Sequence, residues 1–214
     1  MTVANTESAA RVVVFSKAPE PGTVKTRLIP ALGPEGAAAL HRDLTVRAIE
    51  TALAASVGPV ELWCAPDASH SFFAECAQRH PVSLVDQGVG DLGARMHAAF
   101  SSLLGTCERV LLIGSDVPAL TPRYLQEADR ALSEGEDAVV GPAEDGGYVL
   151  IGLRRVALQL FEGIAWGGPD VWCDTRARLD ALRWRYRSLP ALWDVDRRED
   201  LRRLEKIHGP VPRS

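Results

Sequence analysis

Apolar and polar positions follow two patterns that alternate along the chain. Short runs such as VVVF at 12–15 and VLLIG at 110–114 are apolar on both faces, as strands covered by helices on both sides require. Between them lie longer segments with an apolar stripe at helical spacing. The predicted strands are Arg11–Ser16, Pro59–Cys64, Val82–Val85, Arg109–Gly114, Asp137–Gly141, Tyr148–Gly152 and Arg185–Ser188. The predicted helices are Glu35–Ala55, Ser69–Arg79, Leu92–Leu104, Pro122–Gly135 (capped by Thr121), Pro169–Leu182 and Arg198–His208.

This alternation predicts an α/β protein, a single three-layer α/β/α domain with a mainly parallel sheet. Only a short loop separates the strands at 137–141 and 148–152, so we expect a hairpin that makes the sheet mixed. The domain is expected to span residues 11–208. Residues 1–10 are small and polar and lack the features of a signal peptide, so we expect a disordered tail.

Composition narrows the classes of function. The chain has 214 residues, 46% of them hydrophobic and 24% charged, which is typical of a soluble globular domain. The formal net charge of −4 gives no reason to expect nucleic-acid binding. No apolar run is long enough to span a membrane, so a cytoplasmic protein is expected. The four cysteines and five histidines show no zinc-ligand spacing, so any metal would be Mg²⁺ or Mn²⁺ held by carboxylates.

A basic loop follows the first predicted strand in the sequence SKAPEPGTVKTRL. Two prolines stiffen it, and Gly22 allows the backbone to come close to a ligand. Lys17, Lys25 and Arg27 provide three positive charges at a strand end that precedes a helix, a position that favours phosphate. The alternative interpretation is an ordinary basic surface loop.

Carboxylates follow two other segments. Asp116 comes directly after the apolar strand that ends at Gly114, and Asp194 and Asp196 alternate on an extended stretch, so both can face one way. Mg²⁺ typically takes one or two protein carboxylates together with phosphate oxygens. The alternatives are a turn cap for Asp116 and a helix cap for Asp196.

Glycine-rich turns and one tryptophan complete the candidates. Asp145 with Gly146 and Gly147 could contact substrate, although an acidic Gly-Gly turn also suits a hairpin. The segment Gln87–Met96 could contact a base or ribose, or could simply be a flexible turn. Trp166 could form an aromatic wall for an acceptor, or belong to the core. The chain has no G-x-S-x-G and no G-x-G-x-x-G after the first strand, which argues against a serine hydrolase or a nicotinamide dehydrogenase.

Five motifs in order, FSKAPEPGTVKTRL, QGVGDLGARM, LLIGSDVPAL, GPAEDGGYVLIGL and WDVDRREDL, resemble a bacterial family of GT-A-like proteins. That family belongs to the nucleotide-diphospho-sugar transferase superfamily. Two of the motifs are also similar to those of phospholactate guanylyltransferases and molybdenum-cofactor nucleotidyltransferases. The resemblance implies a nucleotide across the carboxyl edge of the sheet, with its phosphates on the opening loop and Mg²⁺ on Asp116 and Asp196. The chain departs from these relatives where APEPGTVKTR replaces G-x-G-[ST]-R and where aspartates replace asparagines in the last motif.

The leading hypothesis is a Mg²⁺-dependent nucleotidyltransferase that joins a nucleoside triphosphate to a phosphorylated small-molecule acceptor. In it Lys17 and Lys25 hold the α- and β-phosphates, and Arg27 stabilises the pyrophosphate leaving group. The alternatives are a glycosyltransferase with a nucleotide-sugar donor and a nucleotide-binding module without turnover. The expected nucleotide-binding residues are Ser16, Lys17, Gly22, Thr23, Lys25, Arg27, Gln87, Gly90 and Asp91. The expected substrate-binding residues are Asp145, Gly146, Gly147 and Trp166.

Overall fold

Seven strands form one sheet in the computed structural model, which describes residues 9–208. They are β1 Ala10–Lys17, β2 Val60–Ala65, β3 Val82–Asp86, β4 Arg109–Gly114, β5 Ala138–Pro142, β6 Tyr148–Leu153 and β7 Tyr186–Ser188. Their order across the sheet is β3-β2-β1-β4-β6-β5-β7. Only β6 runs antiparallel to its neighbours, β4 and β5. The predicted mixed sheet and its β5–β6 hairpin are therefore confirmed.

Six α-helices connect and cover these strands within the described residues. They are α1 Ile29–Ala55, α2 Ser71–Arg79, α3 Leu92–Leu103, α4 Pro122–Ser133, α5 Val171–Ala181 and α6 Arg198–His208. The helix α1 begins earlier than predicted because a short turn precedes it. Gly33 breaks that turn with a φ of 70°, and the main helix starts at Pro34, close to the predicted start. Thr121 caps α4 as predicted, since its hydroxyl accepts a hydrogen bond from the amide of Tyr124.

The two faces of the sheet bury separate apolar clusters, as the alternation of side chains along β1 requires. Val12 and Val14 face one cluster, to which α1, α2 and α4 contribute. Val13 and Phe15 face the other, to which α3 and α5 contribute. The predicted three-layer arrangement is therefore confirmed. Within residues 9–208, no helix has both the length and the apolar character needed to cross a bilayer.

A third apolar cluster packs residues 193–204 against the start of α1 and the turn before it. Leu28 and Leu32 pack there with Trp193, Val195 and Leu204, among others. This packing brings the segment 193–196 to the carboxyl edge of the sheet, next to the end of β4.

The predicted domain, residues 11–208, stays a prediction, and the structure begins its first strand one residue earlier. Ala10, which the sequence places in the tail, already belongs to β1 and is buried. Residues 1–8 of the predicted disordered tail lie outside the described residues, as do residues 209–214.

Candidate active site

A cleft of about 590 Å³ opens at the carboxyl ends of β1 and β4. Ligands of open α/β sheets bind at this edge. The sequence-predicted residues that line it are Ser16, Lys17, Thr23, Lys25, Arg27, Gln87, Asp116, Trp166 and Asp196. Those that do not line it are Gly22, Gly90, Asp91, Asp145, Gly146, Gly147 and Asp194. The structure also adds residues that the sequence did not single out, among them His41, Arg95 and Ser115.

Lys25 is almost completely buried and links three segments of the chain. Its side chain is 6% exposed, and its Nζ donates to Asp116 Oδ2 at 2.8 Å and to the carbonyl of Val195 at 2.6 Å. The amide of Val195 in turn donates to the backbone carbonyl of Asp116 at 3.0 Å. The backbone of Lys25 is left-handed, with a φ of 48°. The loop, β4 and the segment 193–196 are thus fastened together through one ammonium group.

The carboxylate of Asp116 is ionised because Lys25 is beside it. Burial by itself would raise the pKa of Asp116, but the charge of Lys25 and its hydrogen bond outweigh that effect and lower the pKa below its usual value. About a third of the Asp116 side chain remains exposed. Asp116 therefore faces the cleft as a permanent negative charge that already has one counter-ion.

Arg27 and Asp196 form a second ion pair at the rim of the cleft. Arg27 donates from Nη1 to Asp196 Oδ2, and this bond raises the pKa of the guanidinium. Asp200, in the first turn of α6, accepts at its Oδ2 from the amides of Asp196 and Arg197 at 3.0 and 2.6 Å, whereas the carboxylate of Asp196 accepts from Arg27. The carboxylate of Asp196 is therefore directed to the loop, on the side of the cleft.

The carboxyl group of Asp194 has a raised pKa because it is buried near other negative charges. Its pKa is raised to about 6, first by burial and then by the negative charges of Asp116 and Asp145. Lys25 lowers the pKa of Asp194 and so offsets only part of these effects. Asp194 does not line the cleft, but a cation bound at this edge of the sheet would offset part of the negative charge around it.

The Gly-Gly turn before β6 has a packing role. Asp145 Oδ1 accepts from the amide of Gly147 at 2.9 Å. Gly146 has a φ of 95°, and a Cβ on it would lie 1.9 Å from the carbonyl oxygen of Pro169. The carbonyl of Gly146 accepts from the amide of Trp172, near the start of α5. Asp145, Gly146 and Gly147 do not line the cleft, although the charge of Asp145 reaches Arg27 and Asp194.

Gln87 is a buried crosslink that orients a cation. Its Nε2 donates to the carbonyls of Ser16 and Trp63 at 3.1 and 2.8 Å, and its Oε1 accepts from Arg95 Nη1 at 2.7 Å. Since all three contacts agree with one orientation of the amide, the position of Oε1 is fixed. Asp91, by contrast, caps α3 through the amide of Ala94. The segment 87–95 thus presents Arg95 to the cleft.

A small polar network lies beneath the end of β1. His41 Nε2 donates to the carbonyl of Lys17 at 3.0 Å, and Ser16 hydrogen-bonds with Thr45 at 2.9 Å. Burial lowers the pKa of His41, so the ring is neutral. Its Nδ1 is buried without a partner among the described residues. This network holds the end of β1 in place while the Lys17 side chain projects into solvent.

Trp166 is both a cleft wall and a packed aromatic side chain. Its ring contacts Tyr148 edge-on, with centroids 6.3 Å apart. A Cβ at Gly93 would lie 2.6 Å from Trp166 Nε1 and from the carbonyl oxygen of Phe161. Gly93 therefore leaves the room that lets the indole lie against α3. Trp166 thus lines the cleft and also packs on neighbouring residues, while its contact with an acceptor stays a prediction.

The donor set suits a magnesium or manganese ion that a phosphate would complete. Asp116 and Asp196, which line the cleft, offer carboxylate oxygens, the ligands that both ions prefer. The pKa of Asp194 is raised first by burial and then by the charges of Asp116 and Asp145, and a divalent cation would offset the effect of those charges. Within residues 9–208, no group of three or more acidic, histidine or cysteine side chains is arranged to hold a metal without such help.

The strand order and the charged cleft at the carboxyl edge define a nucleotide-diphospho-sugar transferase-like α/β fold. The chain belongs to the DUF2064 family, described as an uncharacterized protein conserved in bacteria, whose pattern matches residues 48–168. No functionally curated protein matches the chain in sequence.

Solved structures confirm this fold. A Desulfovibrio desulfuricans G20 protein that provisionally carries the name nucleotide-diphospho-sugar transferase is 34% identical, with a TM-score of 0.81 over 89% of this chain and 83% of that one. Rv0371c from Mycobacterium tuberculosis H37Rv, solved with manganese, is 18% identical, with a TM-score of 0.55 over 92% and 98% of the two chains. CMP:2-keto-3-deoxy-manno-octonic acid synthetase, solved with CTP, is 11% identical, with a TM-score of 0.55 over 93% and 98%.

Proposed function

We propose that the protein is a Mg²⁺- or Mn²⁺-dependent nucleotidyltransferase that acts in the cytoplasm. It would join a nucleoside triphosphate to a phosphorylated small-molecule acceptor and release pyrophosphate. The observation that carries the proposal is the pairing of loop cations with carboxylates in one cleft, Lys25 with Asp116 and Arg27 with Asp196. A site with both charges at the carboxyl edge suits a metal-bound polyphosphate.

The chemistry needs positioning and charge stabilisation. An oxygen of the acceptor phosphate attacks the α-phosphorus, the bond from that phosphorus to the bridging oxygen of the β-phosphate breaks, and pyrophosphate leaves. Lys17 and Lys25 would bind the α- and β-phosphates, and Arg27 would stabilise the leaving group. Two N–H groups of Lys25 are engaged with Asp116 and Val195, so one remains for a phosphate oxygen.

The carboxylates would hold the metal. Asp116 and Asp196 are the proposed ligands, and Asp194 adds negative charge beside them. When bound, the ion would neutralise phosphate oxygens and make the α-phosphorus easier to attack. Trp166 would form the wall beside the acceptor.

The first test is a thermal-shift screen of the four nucleoside triphosphates and of UDP- and GDP-sugars, each with and without Mg²⁺. We expect stabilisation by at least one triphosphate with Mg²⁺, followed by pyrophosphate release when phosphorylated acceptors are added. If no triphosphate or nucleotide sugar stabilises the protein, the proposal is wrong.

A matched pair of lysine variants tests the site. Lys17→Gln should weaken triphosphate binding about tenfold, because it removes a hydrogen bond from a charged donor, typically worth about 1.5–3 kcal/mol. Lys206→Gln removes an equally exposed lysine from α6, away from the cleft, and should leave the affinity unchanged. Equal effects of the two changes would place the nucleotide elsewhere.

The second candidate is a glycosyltransferase that uses a nucleotide-sugar donor. The similarity to the Desulfovibrio protein favours it, because that protein's provisional name refers to such donors. Transfer or hydrolysis of a UDP- or GDP-sugar, with no pyrophosphate released from any triphosphate, would support this function in place of the first.

A further inference from the structure

Two of the four cations that line the cleft already have a carboxylate partner. Lys25 is bound to Asp116, and Arg27 is bound to Asp196. Their charges are largely offset before any ligand arrives. Lys17 and Arg95 differ, since neither has an acidic partner in the part of the chain that the structure describes.

No carboxylate offsets the charge of Arg95 among the described residues, because its hydrogen-bond acceptors are neutral groups. Its Nη1 donates to Gln87 Oε1 at 2.7 Å, and its Nε donates to the backbone carbonyl of Asp91 at 3.3 Å. Both acceptors fix the orientation of the guanidinium without cancelling its charge. The second terminal nitrogen, Nη2, is left for a ligand.

The support behind Arg95 is rigid. Gln87 is 4% exposed, and its amide is anchored to the carboxyl ends of two neighbouring strands through Ser16 and Trp63. When a buried side chain with all its hydrogen bonds made holds a cation in place, the cation loses little conformational entropy on binding an anion. A long arginine on an exposed helix face would have no such support.

Arg95 also lies near Lys17. The amide of Gln87 reaches both the guanidinium of Arg95 and the carbonyl of Ser16, the residue before Lys17. Gln87 thus links Arg95 to the end of β1, where Lys17 lies, and both cations line the cleft. A planar guanidinium beside an ammonium is suited to a phosphate group.

We infer that Arg95, held by Gln87, is the main anion-binding residue of the cleft and contacts a phosphate group of the substrate. The inference deepens the proposed function and rests on it for the identity of the substrate. Lys25 and Arg27, besides their proposed phosphate contacts, also hold the carboxylates and the segment 193–196 in place.

The test measures binding of inorganic pyrophosphate and of inorganic phosphate by calorimetry in EDTA, without turnover. Arg95→Met should weaken binding of at least one of these anions about 10- to 100-fold, the effect of one or two charge-assisted hydrogen bonds. Arg27→Met, which removes a cation that is already paired, should have a smaller effect. Arg202→Met on α6 is the control for net charge and should have none.

The identity of the anion follows from a third titration with the triphosphate found in the thermal-shift screen. If Arg95→Met weakens pyrophosphate and triphosphate alike, the residue binds the nucleotide. If it weakens inorganic phosphate and leaves the triphosphate affinity unchanged, it binds the acceptor. Either result supports the inference.

The role of the Gln87 support is tested by Arg95→Lys. Lysine retains the charge but cannot reproduce the fork that contacts Gln87 and Asp91, so it should recover less than half of the lost binding free energy. The inference is overturned if Arg95→Met binds both anions within twofold of the wild-type affinity. It is also overturned if the wild-type protein binds neither anion with a dissociation constant below about 10 mM. A failure of pyrophosphate release from triphosphates would instead refute the proposed function alone.

Discussion

Replacing Gly146 by alanine should destabilise the protein strongly, and the structure separates two causes. Gly146 has a φ of 95°, where a non-glycine residue costs about 1–2 kcal/mol. The new Cβ would also lie 1.9 Å from the carbonyl oxygen of Pro169 and 2.6 Å from its carbonyl carbon. Since these are backbone atoms, relief requires movement of the chain before α5, and such overpacking typically costs about 1–3 kcal/mol.

The expected total is about 2–5 kcal/mol of unfolding free energy, a large part of the 5–15 kcal/mol that is usual for a domain. Gly22→Ala provides the matched control, because Gly22 has a φ of 85° and a Cβ added to it would meet no atom within 4 Å. It should show the backbone cost alone. Urea unfolding followed by circular dichroism gives both values. If Gly146→Ala is no more destabilising than Gly22→Ala, the close contact with Pro169 is not present in solution.

Three further predictions test the site. Gln87→Leu removes the side-chain hydrogen bonds to the carbonyls of Ser16 and Trp63 and should cost about 1–3 kcal/mol in urea unfolding. Lys25→Met should destabilise by about 2–3 kcal/mol through loss of the bonds to Asp116 and the backbone, whereas the exposed Lys17→Met should cost almost nothing. The pKa of Asp194 is raised to about 6 in the folded protein, above its unfolded value of about 3.9. Its contribution to the free energy of unfolding therefore falls as the pH rises from about 4 to 6 and stays lower above pH 6. Asp194→Asn in EDTA should therefore raise the melting temperature at pH 7.5 and have little effect at pH 4; an equal gain at both would contradict this.

The fold follows from the sequence because the decisive signals are local. Runs such as VVVF and VLLIG are apolar on both faces, and only strands covered on both sides bury such runs. The short loop before Tyr148 leaves no room for a crossover helix, so β6 had to be antiparallel to β5. The first turn of α1 was missed because Gly33 and Pro34 normally end a helix, whereas here they separate a turn from the helix that follows.

The site was predicted less completely because a sequence shows charges and not their partners. Parallel strands bring Lys17 and Asp116 to one edge of the sheet whatever the loops do, and this placement was predicted. The bond between Lys25 and Asp116 depends on a left-handed backbone at Lys25 and on the packing of segment 193–196, and neither has a local signal. Arg95 follows the helix cap Asp91 by four residues, and that spacing alone does not tell a cleft arginine from a solvent-exposed one.

The net positive charge that the opening loop offers to a ligand is smaller than its sequence suggests. Three cations in SKAPEPGTVKTRL suggest a strongly positive loop, but two of them are bound to aspartates. The net attraction for a polyphosphate then depends on Lys17, on Arg95 from a different segment, and on any metal that offsets the aspartates. A metal ion and a phosphate would each favour binding of the other, because the carboxylates attract the metal and repel the phosphate. Nucleotide affinity should therefore depend strongly on Mg²⁺ in the wild type and less so in Asp194→Asn, where part of the repulsion is removed.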